Sequence, residues 1–151
     1  MKPELVSKRL LTLGLVFVLW SAITAAPGQG VVTIHSIRDV SRGETSSFVL
    51  DMNPAPGWAA LVNFSVSGTA IPGVDYVPLI SPVLVWRVTC PPPPEQCTVL
   101  RPRGRGVILV KTLPDPRGPF IRQAYSVVVT LEPGPGYAIG QPSSATMMIS
   151  P

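Results

Sequence analysis

Charge is scarce in this chain. Only 13% of its 151 residues are Asp, Glu, Lys or Arg, about half the usual share for a globular domain. Histidine occurs once, as His35, and cysteine twice, as Cys90 and Cys97. Amphipathic helices need charged outer faces and tolerate Pro and Gly poorly, and this chain carries 19 Pro and 13 Gly. A helix-rich soluble enzyme is excluded on those grounds. With one histidine, any Ser–His–acid arrangement would have to be built around His35. A Gly-x-Ser-x-Gly elbow, an HExxH motif, a phosphate-binding loop and a dinucleotide fingerprint are all missing. No two carboxylates are spaced for acid–base work on a glycoside. His35 therefore reads as an outward-facing strand residue, and the chain as a protein that is not an enzyme. Disorder is excluded from the opposite side, by a hydrophobic content of 46%.

A long apolar run occurs near the start. Met1–Arg9 carries Lys2, Lys8 and Arg9 against Glu4, Leu10–Ile23 is mostly apolar, and Thr24-Ala25-Ala26-Pro27 follows. A basic start, a short greasy centre and small residues before a proline predict a signal peptide over 1–26, cleaved after Ala25 or Ala26. An uncleaved anchor is the alternative, although the run is short of the roughly 20 residues that a span needs. Cleavage removes three bases and one acid, leaving nine and seven, so the net charge falls from +4 to +2. A charge this small implies no nucleic-acid partner. The expectation is export to a bacterial periplasm or the exterior, no stable membrane span after cleavage, and a single domain over 27–151.

Cys90 and Cys97 enclose Pro91-Pro92-Pro93-Pro94-Glu95-Gln96. In an oxidising compartment so close a pair predicts a disulfide across a Pro-rich insertion at 90–97. A loop this small excludes little chain entropy, so the bridge contributes about 2 kcal/mol. Redox chemistry would want CxxC spacing, and zinc would want more ligands.

Seven runs of strand-forming residues, 31–37, 47–52, 58–66, 82–88, 106–112, 125–131 and 145–149, are separated by Pro- and Gly-rich clusters. They predict an all-β fold, an antiparallel β-sandwich of about seven strands. The third run puts Leu61 and Asn63 on one face and Val62, Phe64 and Val66 on the other. At least one of Trp58 and Trp86 is expected in the core, the alternative being a platform for sugar rings. Arg101-Pro102-Arg103-Gly104-Arg105 admits two readings. Extended, Arg101, Arg103 and Arg105 point the same way, toward a polyanion such as an acidic polysaccharide or lipid headgroups. As a strand-flanking loop, they keep a sheet edge from aggregating.

The stretch Val62-Asn63-Phe64-Ser65-Val66-Ser67-Gly68-Thr69-Ala70-Ile71-Pro72-Gly73-Val74-Asp75-Tyr76 resembles the signature of the Calx-beta family. That signature is an apolar strand, S-G-T-A, two spacers and G-x-D-Y. Gly106–Val110 with Asp115, Tyr125–Leu131 and Tyr137–Ile149 resemble its later strands in order, so the likeness covers Val31 to Ile149. It implies an immunoglobulin-like sandwich of the kind found in sodium/calcium exchangers, integrin subunits and bacterial surface proteins. Some members bind calcium at one end of the sandwich through clustered carboxylates, and others adhere or hold surfaces together.

Calcium takes six to eight oxygen ligands. The resemblance implies Asp75 and Asp115 as ligands, with Glu44 displaced from an early glutamate position that Arg42 occupies. Pro116 stands where a second acid is common, and Phe120-Ile121-Arg122-Gln123-Ala124 replaces a glutamate-bearing segment. The terminal I-x-D is Ile149-Ser150-Pro151. The site thus reads as degenerate, with Asp75 bonding donors of its own turn, or Asp75 or Asp115 paired with Arg42 or Arg122. No cofactor is expected, Ca2+ being the one candidate. The expected function is a non-catalytic binding or structural module with a protein or polysaccharide partner at the cell surface. One alternative is a calcium-dependent adhesion domain on Asp75, Asp115 and Glu44. Another is a subunit of a surface assembly whose exposed strand edge accepts a neighbour.

Overall fold

Apolar residues at every second position, interrupted by Pro and Gly, leave the chain only strands to form. The computed structural model describes residues 29–88, 103–118 and 123–151. The signal-peptide segment, the Cys90–Cys97 insertion, Arg101 and Arg122 lie outside the described residues. The elements are β1 (Gly30–Ser36), β2 (Val40–Ser41), β3 (Thr45–Asn53), β4 (Ala59–Val62), β5 (Phe64–Ser67), β6 (Val83–Val88), β7 (Arg103–Lys111), β8 (Tyr125–Leu131), β9 (Tyr137–Ile139) and β10 (Ser144–Ser150). They form a six-stranded sheet, β4-β6-β7-β3-β1-β9, and a four-stranded sheet, β2-β10-β8-β5. The fold is an all-β sandwich. Among the described residues there is no helix, so none is long and apolar enough to cross a membrane.

The described residues form ten strands where seven are predicted, and the sheets are mixed where antiparallel pairing is predicted. Two short strands make the parallel contacts, β9 along β1 and β2 along β10. The predicted strand 58–66 is two strands, because β4 pairs with β6 in one sheet and β5 with β8 in the other. The chain changes sheets at Asn63. Its N–H donates to the Tyr137 hydroxyl at 3.0 Å, and its carbonyl accepts from the Glu132 N–H at 2.9 Å. That hydroxyl in turn donates to the Glu132 carbonyl at 2.6 Å. Gly134 makes room for the buried tyrosine, since a Cβ there would lie 2.5 Å from its hydroxyl oxygen. Alternation survives the switch, with Val62 and Phe64 buried and Leu61 exposed.

The core lies between the sheets. Val32 and Ile34 of β1, Phe48, Leu50 and Met52 of β3, and Ile108 and Val110 of β7 belong to one cluster with Val127 and Val129 of β8 and Met147 and Ile149 of β10. Each fully buried aliphatic side chain contributes about 1.5–3 kcal/mol.

β7 begins three residues before the predicted strand. Gly104 and Gly106 point inward, where a Cβ would lie 3.0 and 2.8 Å from the γ carbons of Val85. The two glycines let β6 close on β7 while Arg103 and Arg105 face solvent. These arginines therefore stand in an interior strand of the sheet, and the reading of a loop guarding an edge is corrected. The tryptophan expectation is corrected as well: Trp58 is 92% exposed and Trp86 60%. Trp86 shares its outward parity with Leu84 and Val88, and Trp58 stands just ahead of β4.

Candidate functional site

The segment after β5 is held against β8. Gly68 adopts φ +117°, and a Cβ there would collide with the Ser126 carbonyl oxygen. The Thr69 N–H donates to Ser126 Oγ at 3.1 Å, and the Ser126 N–H to Thr69 Oγ1 at 2.8 Å. The Ala70 N–H donates to the Ser126 carbonyl at 3.0 Å. A tight turn follows, with Gly73 at φ +79°, its N–H donating to the Tyr76 carbonyl at 2.8 Å, and the Asp75 N–H donating to the Ile71 carbonyl at 2.8 Å. Tyr76 is buried, and burial raises its phenol pKa, with the Asp75 charge adding to the rise. The turn carries the Asp75 carboxylate fully out of solvent.

Two arginines meet it there. Asp75 Oδ1 accepts from Arg42 Nη2 and from Arg117 Nη1, each at 2.6 Å. Oδ2 accepts from Arg117 Nη2 at 3.0 Å and from the Ile71 N–H at 2.7 Å. Arg117 is thus a bidentate partner, the geometry in which a guanidinium grips a carboxylate best. Asp115 completes the set, 3.3 Å from Arg117 Nη1 and 3.7 Å from Arg42 Nη2. The Tyr125 ring lies beneath both cations, its centroid 4.4 Å from Arg117 Cζ and 5.5 Å from Arg42 Cζ. Two positive and two negative side chains balance. Arg42 Nε is buried and has no partner among the described residues.

The arginines set the electrostatics. Arg117 hydrogen bonding holds the Asp75 carboxyl far below its usual range against the opposing pull of desolvation, and the Ile71 N–H and Arg42 lower it further. The same bond to Asp75 raises the Arg117 pKa, with burial opposing. Asp75 is therefore an anion held by arginine.

The structure brings two of the three predicted ligands together. Asp75 and Asp115 share Arg117, whereas the Glu44 carboxylate turns to Arg38 at 3.4 Å on the surface. Arg42 stands where a pairing residue is expected. Arg117 is the member that sequence reasoning misses. Its signal is Asp115-Pro116-Arg117-Gly118, in which the Arg117 N–H donates to Asp115 Oδ1 at 3.0 Å and fixes the side chain beside that acid. His35 is exposed on the outer face of the six-stranded sheet, with Nδ1 3.6 Å from Asp51 Oδ2. Among the described residues, no three His, Cys, Asp or Glu side chains gather as a metal-binding set. No protein-family model matches the chain, and no curated protein matches it at the significance required of a relative.

Proposed function

We propose that this chain is an exported, non-catalytic binding or structural module of Calx-beta type, in which arginine does the work of a calcium ion. One observation carries the reading: the buried Asp75 carboxylate is already saturated by Arg42, Arg117 and the Ile71 N–H. A calcium ion would need several of these oxygens, and it would have to displace two guanidinium groups to reach them. Glu44, engaged with Arg38, offers no third carboxylate. The residues present do not fit the ion, so the fold stands without it.

The test is a thermal melt of the purified chain in chelator and then in millimolar calcium. The expected result is one midpoint in both. A ligand at a hundred times its Kd adds roughly 2.7 kcal/mol to folding, so a rise of several degrees overturns the reading.

A further inference from the structure

The face of the six-stranded sheet turned away from the core is apolar over much of its width. Leu61 (57% exposed), Leu84, Trp86 (60%), Val107 and Leu109 (65%) point outward from β4, β6 and β7. Leu61 opposes Leu84, and Val107 opposes Val49, which has the same parity but is buried. Together the five side chains leave roughly 500 Å² uncovered, toward the upper end of what a monomer exposes in one patch.

Charge on this face has one dominant sign. Along β7 the apolar pair Val107 and Leu109 is bracketed by Arg103 and Arg105 on one side and Lys111 on the other. Asp51 is the only acid in the six strands of this sheet, and it lies 3.4 Å from Arg105 Nε. An occupant must therefore bring apolar groups and negative charge on a broad surface. A second copy stacked face to face would set these bases against their own kind. A soluble polyanion would satisfy the bases and leave the leucines in water. An anionic bilayer supplies both, with phosphates for Arg and Lys and an interfacial zone that favours Trp and aliphatic side chains.

We propose that this face docks flat on an anionic lipid surface. Leu61, Trp86 and Leu109 enter the interface, and Arg103, Arg105 and Lys111 engage headgroup phosphates. The contact is peripheral and reversible, and it lies on a face separate from the Asp75 cluster.

Residues 29–151 contain the ten described strands and the core between them, and they exclude Trp20 and the Leu10–Ile23 run. This fragment is mixed at low ionic strength with phosphatidylcholine vesicles that do or do not contain phosphatidylglycerol, and cosedimentation and tryptophan emission are read. The expected result is partition onto the anionic vesicles only, with a blue shift that Trp86→Phe diminishes. Arg103→Gln should weaken partition about fivefold. Leu109→Gln should weaken it by at least as much, roughly tenfold from the area involved. Both variants should melt close to the parent, because both side chains are exposed. Failure to partition, or equal partition onto both vesicle types, overturns the proposal. So does a dimer in sedimentation velocity that Leu109→Gln abolishes without any vesicle binding. Binding of polyglutamate that ignores Leu109→Gln, again without vesicle binding, overturns it in favour of a soluble acidic polymer.

Discussion

Asp75→Asn preserves the shape of one side chain and removes the charge at the centre of a buried cluster. Arg42, whose side chain is 8% exposed, and Arg117 would be left with Asp115 as their one anion, at 3.7 and 3.3 Å. The new amide also has an NH2 group where Asp75 has an acceptor, so it faces Arg42 and Arg117 in place of Oδ1, or Arg117 and the Ile71 N–H in place of Oδ2, donor against donor either way. Breaking a buried ion pair from one side costs about 3–5 kcal/mol, because the partner charge stays buried without compensation. At about 4 °C per kcal/mol for a domain near this size, the midpoint should fall by about 12–20 °C. Calorimetry at neutral pH measures this directly, with Asp115→Asn as the contrast. Asp115 is 17% exposed and makes the longer contacts, so its loss should be the smaller. A fall of less than about 4 °C for Asp75→Asn would refute the argument, since it would mean that solvent already screens the cluster.

The same carboxylate predicts a pH response. Its pKa is depressed in the folded chain, so its stabilisation is complete above the ordinary value of 3.8 and is lost as pH falls through the folded value. Denaturant midpoints should drop steeply below about pH 4, and Asp75→Asn should flatten that drop. Gly68→Ala should cost about 2–4 kcal/mol in denaturant unfolding, because the methyl meets the Ser126 carbonyl at a positive φ. Gly43→Ala, also at positive φ but with open space around it, should cost only about 1 kcal/mol. Tyr137→Phe should cost about 1–3 kcal/mol by the same assay, since it strips the Asn63 N–H of its acceptor where the chain changes sheets.

Strand periodicity was legible because each long strand has one face in the core, and a period of two is what that geometry writes into a sequence. The break at Asn63 was not legible. Its partners are Tyr137 and Glu132, far along the chain, and alternation runs through it unchanged. β2 and β9 are two and three residues long, too short to show any period. The outward setting of Trp86 was hidden for a different reason: Val83-Leu84-Val85-Trp86 is apolar at every position, so the pattern does not say which parity faces in. Arg101-Pro102-Arg103-Gly104-Arg105 was readable as an extended segment or as a strand-flanking loop, and what puts Arg103 and Arg105 in β7 is the close packing of Gly104 and Gly106 under Val85, which no local pattern shows. At the charged end, Asp75 and Arg42 could be named from their positions. Arg117 could not, because its place depends on a turn that folds it back over Tyr125.

Arg42 and Arg117 lie 33 and 42 positions from Asp75 along the chain. The ion cluster gains nothing until the strands beside its three segments are paired and water is excluded, so it is expected to form late in assembly, which φ-values at Arg42 and Arg117 would test. Contacts made that late are missing from the transition state and give φ-values near zero. They leave the folding rate almost untouched and slow unfolding instead. On that expectation, the charged end of the sandwich sets the lifetime of the native state, and Asp75→Asn should speed unfolding far more than it slows folding. The chain yields to heat or protease only as often as three separate segments let go together.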